Sequence, residues 1–334
     1  MNSHNQPRVS IGIPVYNGER YLALALDSIL AQTLPDFEII ISDNASTDST
    51  QMICERYADQ DSRIRYYRAP ENRGPGWNLQ RVAELATGEY FKWQAHDDLL
   101  DPNFLEKCVE VLDRDPSVVL CHCYTSHVDD QGSVYSVNTT PCHTDSHCPS
   151  ERFRAWMKIK QDYVGCEIFG VIRKQVLDAA PPLGCYAHAD VIFVGLLSQF
   201  GRFYRIPEPL FMFRIHAEQS MQTIRDHQRR RRFKLPFRGP LPATEWWDPS
   251  KKGQPDLPTW RLYGLYGRFF AKHPMQLRDR LLCYLALLER LILSKDLLRL
   301  GIDILLAVET MLTPTPSSRT HRSTEKKTEP AKML

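Results

Sequence analysis

Residues 91–100, FKWQAHDDLL, carry an aromatic run into two adjacent carboxylates. Tyr90, Phe91 and Trp93 read as a buried strand that stops at Asp97 and Asp98. Asp101-Pro102 then opens a helix, because Asp accepts from the free amides of a first turn and Pro suits the first helical position. Acids at the carboxyl end of a buried strand lie where open α/β sheets bind ligands. Side by side, two carboxylates repel, so the pair calls for a cation, a cage of hydrogen-bond donors or plain solvent. Mg2+ or Mn2+ held by such oxygens commonly keeps substrate phosphates as its other ligands. The competing reading is a solvated turn in which Asp98 or Asp101 caps the next helix.

For the twin acids to meet a ligand, their strand must belong to a sheet whose other loops open on the same rim. Strand and helix patterns alternate in this way. Residues 9–14 (VSIGIP) form a first β-type run, followed after Gly18 by Leu22, Leu26, Ile29 and Leu30 at helical spacing. Residues 37–41 (FEIII) are a second run ending at Ser42-Asp43-Asn44, and Asp48 with Gln51 three residues on makes a capping box for the next helix. Strands are expected at 64–67, 89–94 and 118–122, and helices at 76–86 and 102–113. The alternation predicts an α/β fold, a doubly wound, mostly parallel sheet with helices on both faces. Its rim loops are 15–18, 43–46, 68–76 and 96–98. The third carries Arg68 and Arg73 beside Gly74 and Gly76, which suits close approach to a phosphate or a base.

Composition narrows the classes. A chain of 334 residues, 43% hydrophobic and 25% charged, holds one large domain or two modest ones with an ordinary core. A net charge of +2 gives no global case for nucleic acid. No Gly-x-Gly-x-x-Gly follows the first strand and no Gly-x-x-x-x-Gly-Lys-Ser/Thr occurs, which counts against dinucleotide and P-loop sites. The N-terminal residues lack a signal pattern, and nine scattered cysteines fit a reducing cytosol. No run of eighteen uncharged apolar residues is present, so no obvious span is expected.

Three blocks carry a more specific likeness: IPVYNGERYLALALDSILAQT, FEIIISDNASTDST and ENRGPGWNLQRVAELATGEYFKWQAHDD. In order and spacing they resemble the nucleotide-binding half of family-2 glycosyltransferases, which have the GT-A fold, and they cover about residues 9–123. The resemblance implies a nucleotide-sugar donor, most often a uridine one, and Mn2+ or Mg2+ as cofactor. It implies that Pro14, Tyr16 and Asn17 line the nucleoside pocket, that Asp43 accepts from the base with Asn44 beside it as a further donor contact, and that Arg73 lies near base and phosphates. Asp97 and Asp98 match the acidic end that meets metal and donor ribose. Many members read Asp-x-Asp-Asp where this chain has Ala95-His96-Asp97-Asp98. Which oxygen touches the ion therefore stays open, and His96 either contacts the ribose or caps the turn.

Beyond residue 124 the alternation weakens into a polar stretch reaching about residue 149. Cys142-His143 and His147-Cys148 lie within it, at spacings unlike those of zinc sites, so a surface loop is the reading preferred. Ser150 caps a helix (ERFRAWMKI), and residues 165–173 (GCEIFGVIR) read as a strand under the acceptor. Transfer to a hydroxyl needs a group to take its proton. Asp190 opens an apolar helix where many relatives carry a Glu-Asp pair; the match implies that it is the catalytic base, with His188 in place of the Glu. An N-cap role is compatible, and a helix start favours the ionised form. Phe213-Arg214-Ile215-His216 with Ser220 resembles the family's Arg-x-His…Ser ending, so His216 is either a metal or phosphate ligand or a hydrogen-bonded rim residue.

Residues 227–234 (HQRRRRFK) are a basic cluster, read as a solvated face, a diphosphate contact or a dock for anionic lipid. Residues 236–258 are rich in proline and aromatics. Residues 279–312 are apolar helices broken by charges, suited either to a membrane interface or to packing on the core or a second subunit. The expected organisation is a donor-binding half (1–125), an acceptor-binding half (126–225), a linker with a helical extension (226–312) and a disordered tail (313–334). The expected function is metal-dependent, inverting transfer of a sugar from a nucleoside-diphosphate donor to a glycan or lipid-linked acceptor in cell-surface polysaccharide synthesis. The alternative is a non-catalytic nucleotide-sugar-binding or scaffolding protein on the same fold. The expected location is cytoplasmic, with peripheral contact at the inner face of the plasma membrane as one option.

Overall fold

A computed structural model describes residues 6–140, 143–159, 166–219 and 244–312. Ser220, Cys142, the basic cluster at 227–234 and the tail from residue 313 lie outside the described residues.

The first half follows the expected alternation. Strands β1 (Val9–Val15), β2 (Phe37–Asp43), β3 (Ile64–Arg68) and β4 (Tyr90–Trp93) are parallel, in the spatial order β3-β2-β1-β4. Helices α1 (Leu22–Leu30), α2 (Thr50–Gln60) and α3 (Pro75–Leu85) connect them. Every position of β2 is buried, because both faces of the sheet are covered. Strand alternation sends Ile39 and Ile41 into one core and Ile40 into the other, on the opposite face. The two cores hold the sheet between them.

Past β4 the sheet becomes mixed. A two-residue strand β5 (Leu99–Leu100) and helix α4 (Phe104–Arg114) precede β6 (Val118–Val128), β7 (Val134–Asn138) and helix α5 (Pro149–Met157). Next come β8 (Val171–Arg173), α6 (Lys174–Ala179), α7 (Ala189–Leu197) and β9 (Arg202–Arg214). The sheet continues β4-β8-β6-β9-β5, with β7 on β6; β8 is antiparallel to β4 and β6, β9 is parallel to β6, and β5 is antiparallel to β9. Four elements differ from expectation. The fifth strand runs on to Val128, through the boundary drawn at residue 125, because Thr125 and Ser126 are buried within the sheet. The strand expected at 165–173 is reduced to β8, since residues 166–169 coil into a 3-10 turn closed by Gly170 N–H on the Glu167 carbonyl. No capping box forms at α2: Asp48 accepts from the Thr50 and Glu19 amides, while Gln51 turns to Glu55. Ser150 does not cap α5 either, because its hydroxyl donates to Asp279.

The C-terminal extension comprises α8 (Thr244–Trp247), α9 (Pro258–Lys272), α10 (Leu277–Leu293) and α11 (Asp296–Leu312). It packs on the core. Phe153 of α5 meets Tyr266 and Phe270 edge to face, Tyr266 donates its hydroxyl to the Val191 carbonyl, and buried Arg290 donates to the Met157 carbonyl. Among the described residues no helix is long and apolar enough to cross a membrane.

Candidate active site

The rim is assembled by loops that bond to one another. The loop after β1 is tied to the loop after β2: Asn17 N–H donates to Ser46 Oγ, Gly18 N–H to Thr50 Oγ1, and Thr47 N–H to Asn17 Oδ1. Asn17 adopts φ 53°, an αL value that Asn tolerates better than most residues. Pro14 is half-buried beside Ser42, and Tyr16 is exposed at 44%, free to meet a ligand face.

Asp43 ends β2 wholly buried. One carboxylate oxygen accepts the Ser46 amide at 2.8 Å; the other accepts the Tyr66 hydroxyl at 2.8 Å and lies 3.4 Å from Arg68 Nε. Burial and this acid push the Tyr66 phenol up. Asn44 is a clamp as well as a rim residue. Its Oδ1 accepts Arg73 N–H, and its Nδ2 donates to Asn72 Oδ1 and the Gly74 carbonyl, so it fixes the 68–76 loop. Arg73 itself is exposed, its guanidinium 4.5 Å from the Trp77 ring centroid. Asn72 and Asn78, the latter donating to the Val15 and Ser42 carbonyls, were not singled out from sequence; only their proximity to glycines marked them.

Asp97 and Asp98 lie at the far side of this rim, and the β5–β9 pairing delivers their partners. Leu99 faces Met212 and Leu100 faces Phe211, so the end of β9 returns alongside the acids across more than a hundred residues of chain. His216 Nε2 stands 2.9 Å from Asp97 Oδ2. Arg214, fully buried, donates its backbone amide to Asp98 Oδ1 at 2.8 Å and its Nε to the Asp97 carbonyl at 2.9 Å. Its Nη1 reaches the carbonyls of Asp129 and Asp130, and its guanidinium lies over Tyr21. Tyr21 also packs against the His216 ring and donates its hydroxyl to Asp130.

The surroundings pull the two acids in opposite directions. Burial works against ionisation of Asp97, yet the hydrogen bond with His216 and the nearby His96 hold its carboxyl below the ordinary value. Burial and the neighbouring Asp97 push Asp98 well above it, only partly offset by the Arg214 amide. Asp98 Oδ2 and His216 Nδ1 are buried with no partner among the described residues. His96 packs over the first loop: a Cβ at Gly18 would stand 2.9 Å from His96 Cδ2, so glycine is required there.

These residues fit a divalent cation that takes its remaining ligands from elsewhere. Adjacent oxygens or nitrogens on an ion at about 2.1 Å lie about 3 Å apart, and the 2.9 Å between Asp97 and His216 matches. The uncompensated oxygen of Asp98 adds acceptor capacity. No three His, Cys, Asp or Glu side chains converge on one metal position among the described residues, so phosphate oxygens and water would complete the shell. His143, His147 and Cys148 belong to no such cluster, and Cys148 Sγ faces Ser150 and Asp279.

Asp190 is exposed on the first turn of α7. His188 before it adopts φ 67°; burial pushes its imidazole down, with the Asp190 carboxylate opposing. The loop that leads to them is pressed against the start of α3, where a Cβ at Gly76 would fall 2.5 Å from Cys185 Cα. The start of α3 and the segment leading into α7 thus meet backbone to backbone.

Known proteins resemble this chain in sequence and in fold. An uncharacterized glycosyltransferase of Rickettsia typhi is 41% identical over 133 residues, 39% of this chain and 41% of the relative. Chondroitin synthase of Escherichia coli is 32% identical over 130 residues, 39% of this chain and 19% of that enzyme. The chain thus spans well under two thirds of the length of these relatives. The crystal structure of S. aureus TarS 1–349 in complex with UDP-GlcNAc superposes with a TM-score of 0.57 at 16% identity, covering 82% of this chain and 69% of that one, a likeness of fold. The family profile for glycosyl transferase family 2 matches residues 10–178, the span that contains β1 to β4 and the twin acids; with its GT-A architecture, the chain belongs to glycosyl transferase family 2.

Proposed function

We propose that this chain transfers a sugar from a nucleoside-diphosphate donor, a UDP-sugar in the first instance, to a hydroxyl of a glycan or lipid-linked acceptor in cell-surface polysaccharide synthesis. What carries the reading is the pairing of Asp97 with His216 beside an Asp98 oxygen that lacks a partner among the described residues, just past the end of β4, the strand beside β1. TarS, which shares the fold, binds UDP-GlcNAc, which supports a uridine donor. Bound Mn2+ or Mg2+, held by Asp97 and His216 with Asp98 adjoining, would neutralise charge on the leaving diphosphate.

In this reading Tyr16 and the Asn17 backbone flank the nucleoside and Arg73 faces the phosphates; Asp43, wholly buried with both oxygens engaged, braces the Ser46 loop beneath the base rather than touching it. Asp190 takes the proton of the acceptor hydroxyl as its oxygen bonds to the anomeric carbon. The bond from that carbon to the diphosphate oxygen breaks in the same displacement, so configuration inverts and no covalent enzyme intermediate forms. Exposure of Asp190 leaves room for an acceptor, and its place in the first turn of α7 favours the carboxylate form that a base needs.

Release of nucleoside diphosphate from a panel of nucleotide sugars with Mn2+ tests the proposal. Asp190→Asn should reduce turnover by about a thousandfold or more while leaving donor affinity within about twofold. Donor binding without turnover in the unaltered chain would instead favour a binding role for the fold.

A further inference from the structure

The helical pair α10–α11 has its polarity inverted relative to a helix bathed in water. Its acids are engaged in ion pairs and hydrogen bonds; Asp296 and Asp303 are buried, and the Glu289–Arg154 pair lies at the surface. Asp279 accepts from Ser150 Oγ, Glu289 pairs with Arg154, Asp296 is held by Arg290, Arg299 and the Tyr263 hydroxyl, and Asp303 accepts from Thr259 N–H. The outward positions are apolar. Leu281, Leu285 and Ile292 form a stripe along α10, and Leu297, Leu305 and Leu312 continue it on α11, each between 52 and 76% exposed. Leu293, at 78%, carries the face into the connecting turn.

Exposed single leucines are ordinary, but a face sustained over two helices of 17 residues marks an interaction surface. Each helix is about 25 Å long, too short to cross a bilayer with these charges and long enough to lie along one. The charges decide the occupant. Among the described residues the exposed charged side chains of the pair, Arg278 and Lys295, are both basic and stand near the two ends of α10, while Glu289 and Glu309 are half-buried. Exposed Arg268 and Lys272 of α9 add to the same sign. A second copy docked on this face through a two-fold axis would bring a basic surface against a basic surface, with no acid exposed on the face among the described residues to offset it. An anionic bilayer supplies both the apolar depth and the opposite charge.

We infer that the outward face of α10–α11 seats the protein on an anionic lipid surface, with the leucines in the headgroup–acyl boundary and the basic residues at phosphate level. This seating is independent of catalysis, so a binding assay judges it without reference to turnover. The full chain is sedimented with vesicles of phosphatidylcholine alone and of phosphatidylcholine mixed with phosphatidylglycerol, alongside the Leu285→Glu/Leu305→Glu double variant. Both substituted positions are exposed, so the fold should survive, and a thermal melt checks it. The unaltered chain should partition onto the mixed vesicles, and the double variant should lose roughly tenfold or more of that partition. Equal recovery of the two proteins with mixed vesicles, absence of the unaltered chain from both pellets, or no preference for the anionic mixture would overturn the inference. So would a lipid-free dimer, measured by light scattering, that the double variant converts to monomer.

Discussion

Arg214→Met removes the side chain that joins the end of β9 to the acids. The guanidinium holds the carbonyls of Asp97, Asp129 and Asp130 and stacks over Tyr21, while the Arg214 amide that bonds Asp98 belongs to the backbone and survives the change. The Asp129 carbonyl keeps a second donor, Gly132 N–H. Two carbonyls, Asp97 and Asp130, therefore lose their donors, at about 1–3 kcal/mol each if water does not replace them. The cation–ring contact adds about 1 kcal/mol. Together these give a loss of about 3–7 kcal/mol, which overlaps the range of about 3–5 kcal/mol for breaking a buried charged network. Arg214→Lys keeps the charge but cannot reproduce the forked contacts, and should lose about half as much. Urea unfolding followed by circular dichroism measures both, and nucleoside-diphosphate affinity in Mn2+ should fall in the same order. A methionine variant within about 1 kcal/mol of the unaltered protein would refute the view that this arginine organises the site.

His122 is buried in β6, and burial together with Arg205 pushes its imidazole down to about 3. The unfolded chain takes up that proton below about 6.5 and the folded chain does not, so stability should fall as pH drops through this window, by about 2 kcal/mol at pH 5. His122→Gln should flatten this acid limb in urea midpoints measured from about pH 7 to 5, and an unchanged slope would count against the assignment. Asn44→Ala releases Arg73 N–H, Asn72 and Gly74 together. It should cost about 2 kcal/mol in stability and raise donor KM more than it lowers kcat, because it loosens a binding loop without touching the reacting atoms.

The parallel half of the fold was legible because buried central strands read as continuous apolar runs, and the helices between them keep a 3.6-residue period. The twin acids stood out because their strand ends abruptly in charge. What could not be read was the pairing of β5 with β9, a two-residue strand with no signal of its own, and it is this pairing that brings His216 to Asp97. The Arg-x-His pattern marked Arg214 and His216, but not that the arginine is wholly buried as a brace. Asn44 was read as a donor contact because it follows Asp43; its clamping of the 68–76 loop depends on a turn that only the folded chain displays. The local capping signals failed for separate reasons: at Ser150 a distant partner, Asp279, takes the hydroxyl, and at Asp48 the box stays open because Gln51 bonds Glu55 four residues on. The inverted face of α10–α11 was hidden for a related cause, since the sequence shows mixed leucine and charge but not which of them turns inward.

The central claim is that Asp97 and His216 form a cation site that completes itself with a diphosphate. Calorimetric titration of UDP with and without Mn2+, on the unaltered chain and on Asp97→Asn and His216→Ala, addresses it most directly. Mn2+ should raise UDP affinity by about tenfold or more in the unaltered chain, and either substitution should remove most of that gain. UDP affinity indifferent to Mn2+, or a full metal effect in both variants, would contradict it.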